Sequence, residues 1–306
     1  MSELILKGET ELDTLVAAVA RAPHTTALFC DIDGTIAPIV ADPYAAVVPP
    51  HMLVVLTALV TRLGLLAFVT GRDLAQAQTM VAVDGAAYVG THGLEVMEPG
   101  GEARCTSAAE PYIEAVHEFA GRGAALAAIW PGIVTEDKRT VVSVHYRNTA
   151  DPTAARAAIE NKIAVPAREA GLAISTGHFV VEVRPPLAIS KGTAVTGLLE
   201  TRELATAIFC GDDLTDVTGF NAVHEWATRD MSKTTHTASK AAANAASQPT
   251  PDVGRPEAQT GQRAGYAVAA LTAETPPAVR ETSDIQVAAT PGMYEVFTRL
   301  LAATES

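Results

Sequence analysis

The sequence predicts an α/β protein: a parallel-sheet core interrupted by an inserted α+β domain. Three observations predict it. Four short apolar runs, each ending in polar residues, are interspersed with helix-like segments, as expected for strands buried on both faces. Between roughly 105 and 185 the pattern changes to helices and β-rich runs of a different kind. The 306 residues also exceed what one small core needs. The expected division is 1–104 for the first part of the core, 105–185 for the inserted cap, and 186–306 for the rest of the core, with 232–265 as a flexible insertion.

The runs come in order. "ALFCDIDGTIAP" (27–38) passes from four apolar residues into Asp31 and Asp33. "HMLVVLTALVTRL" (51–63) reads as a helix, "LLAFVTGR" (65–72) as a strand ending in Thr70, Gly71 and Arg72, and "DLAQAQTMV" (73–81) as a second helix. "AAYVGTHGLE" (86–95) is a strand followed by His92 and Glu95. In the insertion, 111–129 reads as a helix, 132–147 as two β runs joined by a charged turn, and 151–172 as a helix bent by Pro166. "HFVVEVRPP" (178–186) is a strand ended by its prolines. "ISKGTAVTGLLE" (189–200) opens a helix at Lys191, "TAIFCGDDLTD" (206–216) is a strand ending in acids, and "GMYEVFTRLLA" (292–302) is a closing amphipathic helix. Residues 232–265 are rich in Ala, Ser, Thr, Pro and Gln and read as a loop or partly disordered insertion, with a short Ala-rich helix inside it as the alternative.

The composition is that of an ordinary globular protein, 48% hydrophobic and 19% charged. A net charge of −13 disfavours nucleic acid and anionic membrane as partners. An anionic small molecule would have to be captured by local cations. Cys30, Cys105 and Cys210 show no pairing or metal-ligand spacing, which points to a reducing cytoplasm. The first residues lack the cationic and apolar regions of a signal peptide, and no apolar run reaches the ~20 residues of a membrane span. The sequence does not fix the oligomeric state; a monomer is the expectation.

In a parallel sheet, ligands bind at the carboxyl ends of the strands. Asp31, Asp33, Thr70 and Asp212 all fall there. Taken alone, Asp33-Gly34 is common turn chemistry, Thr35 and Thr70 are helix caps and Lys191 is a solvated cation. Taken together, Asp31-x-Asp33-Gly-Thr, Thr70-Gly-Arg72, Lys191-Gly and Gly-Asp212-Asp213-x-x-Asp216 resemble the four motifs of the haloacid-dehalogenase-like phosphatase superfamily. That resemblance implies a Rossmann-like core in which Asp31 attacks phosphorus, Asp33 serves as acid and base, and Thr70, Gly71 and Lys191 bind phosphoryl oxygens. It implies Mg2+ held by Asp31, the Asp33 carbonyl and Asp212, with Asp213 and Asp216 behind them.

"GTHGLE", "EDK" (136–138), "HYR" (145–147) and "EVRP" (182–185) narrow the resemblance to the trehalose-6-phosphate phosphatases, over about residues 25–220. By that resemblance the substrate is a small sugar phosphate, and Glu136, Lys138 and Glu182 contact sugar hydroxyls, with Arg72, His92 and Glu95 shaping the pocket. For His92 a structural role in its loop is the alternative. His145 and Arg147 alternate with Tyr146, so they share a strand face that looks either at substrate or at solvent. Val217 and Thr218 stand where the family usually has acids. The same motifs admit another sugar phosphate (sucrose phosphate, a glycosyl-phosphoglycerate, a pseudo-disaccharide phosphate) or a non-catalytic sugar-phosphate sensor.

Overall fold

The computed structural model describes residues 4–40, 45–177, 179–229 and 263–305. The chain begins with β1 (Ile5–Lys7) and α1 (Glu9–Arg21). Then follow β2 (Thr26–Cys30), α2 (Pro50–Val60), β3 (Leu65–Val69), α3 (Leu74–Val81), β4 (Ala87–Gly90), β5 (Glu95–Met97) and β6 (Arg104–Cys105). The second half of the core supplies α7 (Lys191–Glu200), β11 (Thr206–Gly211), α8 (Val217–Thr228), β12 (Ala264–Leu271), α9 (Pro277–Thr282), β13 (Ile285–Ala288) and α10 (Ala289–Ala303). The insertion between them holds α4 (Ile113–Ile129), β7 (Val134–Asp137), β8 (Val142–His145), α5 (Pro152–Ile159), α6 (Val165–Glu169), β9 (Ala173–Gly177) and β10 (Val180–Arg184).

Nine strands form the core sheet in the order β1-β13-β12-β11-β2-β3-β4-β5-β6. The six from β13 to β4 are parallel; β1, β5 and β6 pair antiparallel at the edges. The continuous apolar runs follow from burial on both faces. Leu28 and Cys30 pack with Met52, Leu56 and Phe297 beneath α1, α2 and α10, while Ala27 and Phe29 pack with Leu199, Phe220 and Trp226 beneath α7 and α8. β2 lies between β3, reached directly, and β11, reached only after the insertion. The connections therefore diverge at the end of β2, where a parallel sheet opens a crevice.

The insertion forms an antiparallel sheet, β7-β8-β10-β9. Val142, Val144, Val181 and Val183 face α4 and the 152–169 helices and bury against Val116, Phe119, Ile159 and Ile163. The opposite face is polar, and the register sets Glu136, Ser143, Glu182 and Ser175 in one row across all four strands. The α-helix is interrupted ahead of Pro166. A π-helical turn, Glu160–Ala164, precedes α6 and accommodates the N–H that proline lacks.

Several elements were not anticipated. β9 carries only two apolar residues, β1 is a three-residue edge strand, and β5 is a three-residue strand next to the opposite edge. The expected insertion at 232–265 ends too late: Ala264 and Gly265 open β12, and residues 230–262 lie outside the described ones. Among the described residues no helix is long and apolar enough to cross a membrane, and Cys30, Cys105 and Cys210 are free thiols.

Candidate active site

The ends of β2, β3 and β11 and the start of α7 bring the motif residues together. Ser190 caps α7 by accepting from Thr193 N–H, which fixes the helix start and delivers Lys191 into the rim. Lys191 is 3% exposed, and its Nζ donates to Asp31 Oδ1 and Asp216 Oδ1, both at 2.7 Å. Asp216 spends its other oxygen on the N–H groups of Asp212 and Asp213, each at 3.0 Å, which shapes the acidic turn. Thr35 Oγ1 donates to Asp212 Oδ1 at 2.9 Å. Carboxylate oxygens of Asp31, Asp212 and Asp216 lie within 4.8 Å of one another.

Gly34 makes this approach possible. Its φ is +84°, and a Cβ there would stand 2.0 Å from Asp212 Oδ2. Gly71 is open for a neighbour: a Cβ would lie 2.6 Å from Cε1 of His92. His92 itself is left-handed, with φ 57°, and its buried Nδ1 has no hydrogen-bond partner. Burial, helped by the Lys191, Lys138 and Arg184 charges, lowers its pKa to about 4 against the opposing pull of Glu182. The imidazole is neutral at pH 7.

The polar face of the cap sheet meets this rim. Gln76 Nε2 of α3 donates to Glu136 Oε1 at 2.7 Å, Lys138 Nζ donates to the Gly71 carbonyl at 3.3 Å, and Thr140 Oγ1 donates to Thr91 Oγ1 at 3.2 Å. Lys138 and Glu136 pair at 3.2 Å, and His145 Nε2 stands 3.4 Å from Glu136. Burial would raise the Glu136 carboxyl, but His145, Lys138 and Gln76 outweigh it and hold it below the usual range. Ser143 and Ser175 donate to the two oxygens of Glu182 at 3.0 and 2.9 Å.

The structure thus gathers Asp31, Asp33, Thr70, Gly71, Arg72, Lys191, Asp212 and Asp216 on the core side and Glu136, Lys138, His145 and Glu182 on the cap side. Arg147 is not among them. β8 ends at His145, and Arg147 lies past it, exposed, with its guanidinium 5.2 Å from the Phe179 ring centroid. Glu95 takes the first N–H of α3, from Leu74 at 3.2 Å, so its carboxylate anchors that helix. Asp213 is exposed and contributes its backbone to the turn. Thr218 accepts from Gly192 N–H at 3.1 Å, a neutral bond in place of an acid.

The trehalose-phosphatase family profile matches residues 29–252. The chain belongs to the trehalose-phosphatase family. Its relatives include the trehalose-phosphate phosphatase of Mycobacterium avium, 36% identical over 202 residues, which are 64% of this chain and 51% of that protein. An uncharacterized glycosyl hydrolase of Mycobacterium tuberculosis is 38% identical over 207 residues, 64% of this chain and 15% of that protein. The chain therefore spans about half or less of the curated relatives it matches. The solved C-terminal domain of the C. albicans trehalose-6-phosphate phosphatase superposes with a TM-score of 0.67 at 21% identity, covering 94% of this chain and 96% of that one. This likeness fixes the fold, which is also that of a haloacid dehalogenase-like hydrolase.

The acidic cluster of this family member fits a hard divalent cation. Its donors are all oxygens, and one lysine faces three buried carboxylates. Burial pushes Asp31 up despite Lys191, with the Asp216 and Asp212 charges adding to burial. Burial and then Asp216 raise Asp212 to about 8. Metal-free, the fold holds a proton that the unfolded chain gives up near 3.8, so this group costs stability as pH rises towards 8. A cation must displace that proton. Mg2+ is therefore expected to raise the melting temperature more at pH 8.5 than at pH 6, as read by a thermal melt with and without EDTA. An equal shift at both values would contradict the protonated Asp212.

Thr35, Gln76, Ser143 and Ser175 were not anticipated as site residues. Thr35 stood inside a quoted motif but read as a cap. The two serines become visible only once the strand register sets them beside Glu182.

Proposed function

We propose that this chain is a Mg2+-dependent phosphatase that hydrolyses trehalose 6-phosphate to trehalose and phosphate through an aspartyl-phosphate. The observation that carries the reading is the buried Asp31–Lys191–Asp216 bridge beside Asp212, at the end of β2 and under the polar row of the cap. Family membership and the names of its relatives support the sugar assignment.

Asp31 would attack the phosphorus while the leaving sugar oxygen takes a proton from Asp33. Lys191 favours the carboxylate form of Asp31 against burial and the neighbouring acids, and is itself charged: burial opposes the lysine's charge, but Asp216 and Asp31 outweigh burial and raise its pKa. Thr70 and the Lys191 ammonium would bind phosphoryl oxygens. Asp31, the Asp33 carbonyl and Asp212 would hold Mg2+, which neutralises phosphoryl charge when bound. Water then cleaves the aspartyl-phosphate, with Asp33 as base. In the cap, Glu136, Lys138 and Glu182 are fixed by partners before substrate arrives, which suits recognition of hydroxyls by charged hydrogen bonds. His145 would assist Glu136. The neutral His92 would offer its unpartnered Nδ1 to the ligand. The cytoplasm is the proposed location, and a monomer the proposed state.

Phosphate release from trehalose 6-phosphate, sucrose 6-phosphate, glucose 6-phosphate and p-nitrophenyl phosphate tests the reading. Selectivity for trehalose 6-phosphate, abolished by EDTA, is the expected result. Turnover of p-nitrophenyl phosphate alone would keep the rim chemistry and overturn the sugar.

A further inference from the structure

An acid–base residue must be aimed, and Asp33 has little packing to aim it. Its side chain is 38% exposed, against 7% for that of Asp31. A carboxylate so open would sample several rotamers. Instead Arg72 grips it with both arms: Nε donates to Oδ2 and Nη2 to Oδ1, each at 2.6 Å. The arginine is itself fixed. Its side chain is 12% exposed, its N–H donates to Thr70 Oγ1 at 3.2 Å, and its carbonyl accepts from Thr91 N–H at 2.8 Å. A planar fork on a carboxylate sets orientation as well as charge, which a lysine ammonium cannot do. Each carboxylate oxygen keeps a second lone pair beyond the one the guanidinium uses, so the gripped Asp33 still accepts a proton.

We propose that Arg72 is a positioning residue for the second half of the reaction, holding Asp33 in the orientation of the base that activates water. The inference rests on the phosphatase reading above. In this step a water oxygen bonds to phosphorus, the bond from phosphorus to the Asp31 oxygen breaks, and Asp31 leaves as a carboxylate. The water's proton passes to Asp33, and hydrogen phosphate forms. The proton gained is the one Asp33 gives to the leaving oxygen of the next substrate, when one arm of the fork opens. With a leaving group that needs no proton, loss of Arg72 therefore stalls the cycle at the aspartyl-phosphate.

Rapid-mixing release of p-nitrophenol from p-nitrophenyl phosphate with Mg2+ tests this. That leaving group departs without a proton, so the first step proceeds independently of Asp33. Arg72→Met is expected to give a burst of about one p-nitrophenol per enzyme, followed by turnover slowed about 10²-fold, the scale of general base catalysis. Arg72→Lys, which retains the cation without the fork, should burst as well with a smaller slowing; it also serves should the Met variant not fold. Steady turnover at the wild-type rate overturns the proposal. So does a raised KM for trehalose 6-phosphate without a burst, which would make Arg72 a substrate-binding group. Wild-type protein that releases phosphate from neither ester overturns the phosphatase reading and this inference with it. If only p-nitrophenyl phosphate is hydrolysed, the sugar assignment fails and the burst still decides the role of Arg72.

Discussion

Asp31→Asn is expected to abolish phosphate release while leaving the protein at least as stable as wild type. The two effects have one cause. Asp31 is 5% exposed and shares its surroundings with Asp212 and Asp216. Burial, Asp216 and Asp212 all disfavour its charged form, and only Lys191 favours it. Asparagine keeps the shape and removes that charge, and Lys191 retains its 2.7 Å bond to Asp216. The fold loses a cost, so a thermal melt should show an unchanged or higher midpoint, the usual signature of a strained functional group. The amide cannot form an acyl-phosphate, so the rate should fall about 10⁴-fold or more, the scale of losing a covalent nucleophile. Hydrolysis at the wild-type rate would remove Asp31 as nucleophile. A large drop in stability would mean that the Asp31 to Lys191 pair holds the fold together, contrary to the balance of charges described above.

How much of this was legible beforehand follows from the ranges of the forces involved. The core strands announced themselves because both faces are covered, so every residue of β2, β3 and β11 is apolar or small and buried. The rim was legible for the same reason: polar residues that interrupt such a run have to sit at a strand end. The cap was harder. Its strands are amphipathic, and which residues share a face depends on register. Once β8 is seen to end at His145, the near-repeat of "HYR" breaks, and Arg147 leaves the group that Glu136, Glu182 and His145 form. β9 pairs with β10 through a strand, "AISTG", whose two apolar residues carry almost no periodic signal. The Arg72 grip on Asp33 spans 39 residues of sequence. Nothing local marks it, although both residues lie in motifs identified from sequence.

Lys191→Met carries the second large effect, and it runs against the first. The lysine is the shared counter-charge of Asp31 and Asp216, which are 5% and 0% exposed. Methionine fills the volume but leaves two carboxylates facing each other without a cation. Removing one partner of a buried ion pair costs about 3–5 kcal/mol, because the charge left behind is neither hydrated nor paired. Denaturant unfolding at pH 8 without divalent cation should show a loss of that order. The sign with pH follows from the same charges. In the variant Asp31 loses the one charge that opposes its raised pKa and is easier to protonate folded than unfolded, so the defect is fully present at high pH and shrinks as pH falls and Asp31 takes up its proton. Unfolding at pH 5 should therefore recover much of the loss. Mg2+ at pH 8 should also restore stability, and more to the variant than to the wild type, since it supplies the missing positive charge. Activity should not return with either treatment, because the lysine is also the proposed ligand of the phosphoryl oxygens. A variant equally destabilised at pH 5 and pH 8, and indifferent to Mg2+, would show that Lys191 acts by packing its methylene stem and that the acidic cluster needs no counter-charge.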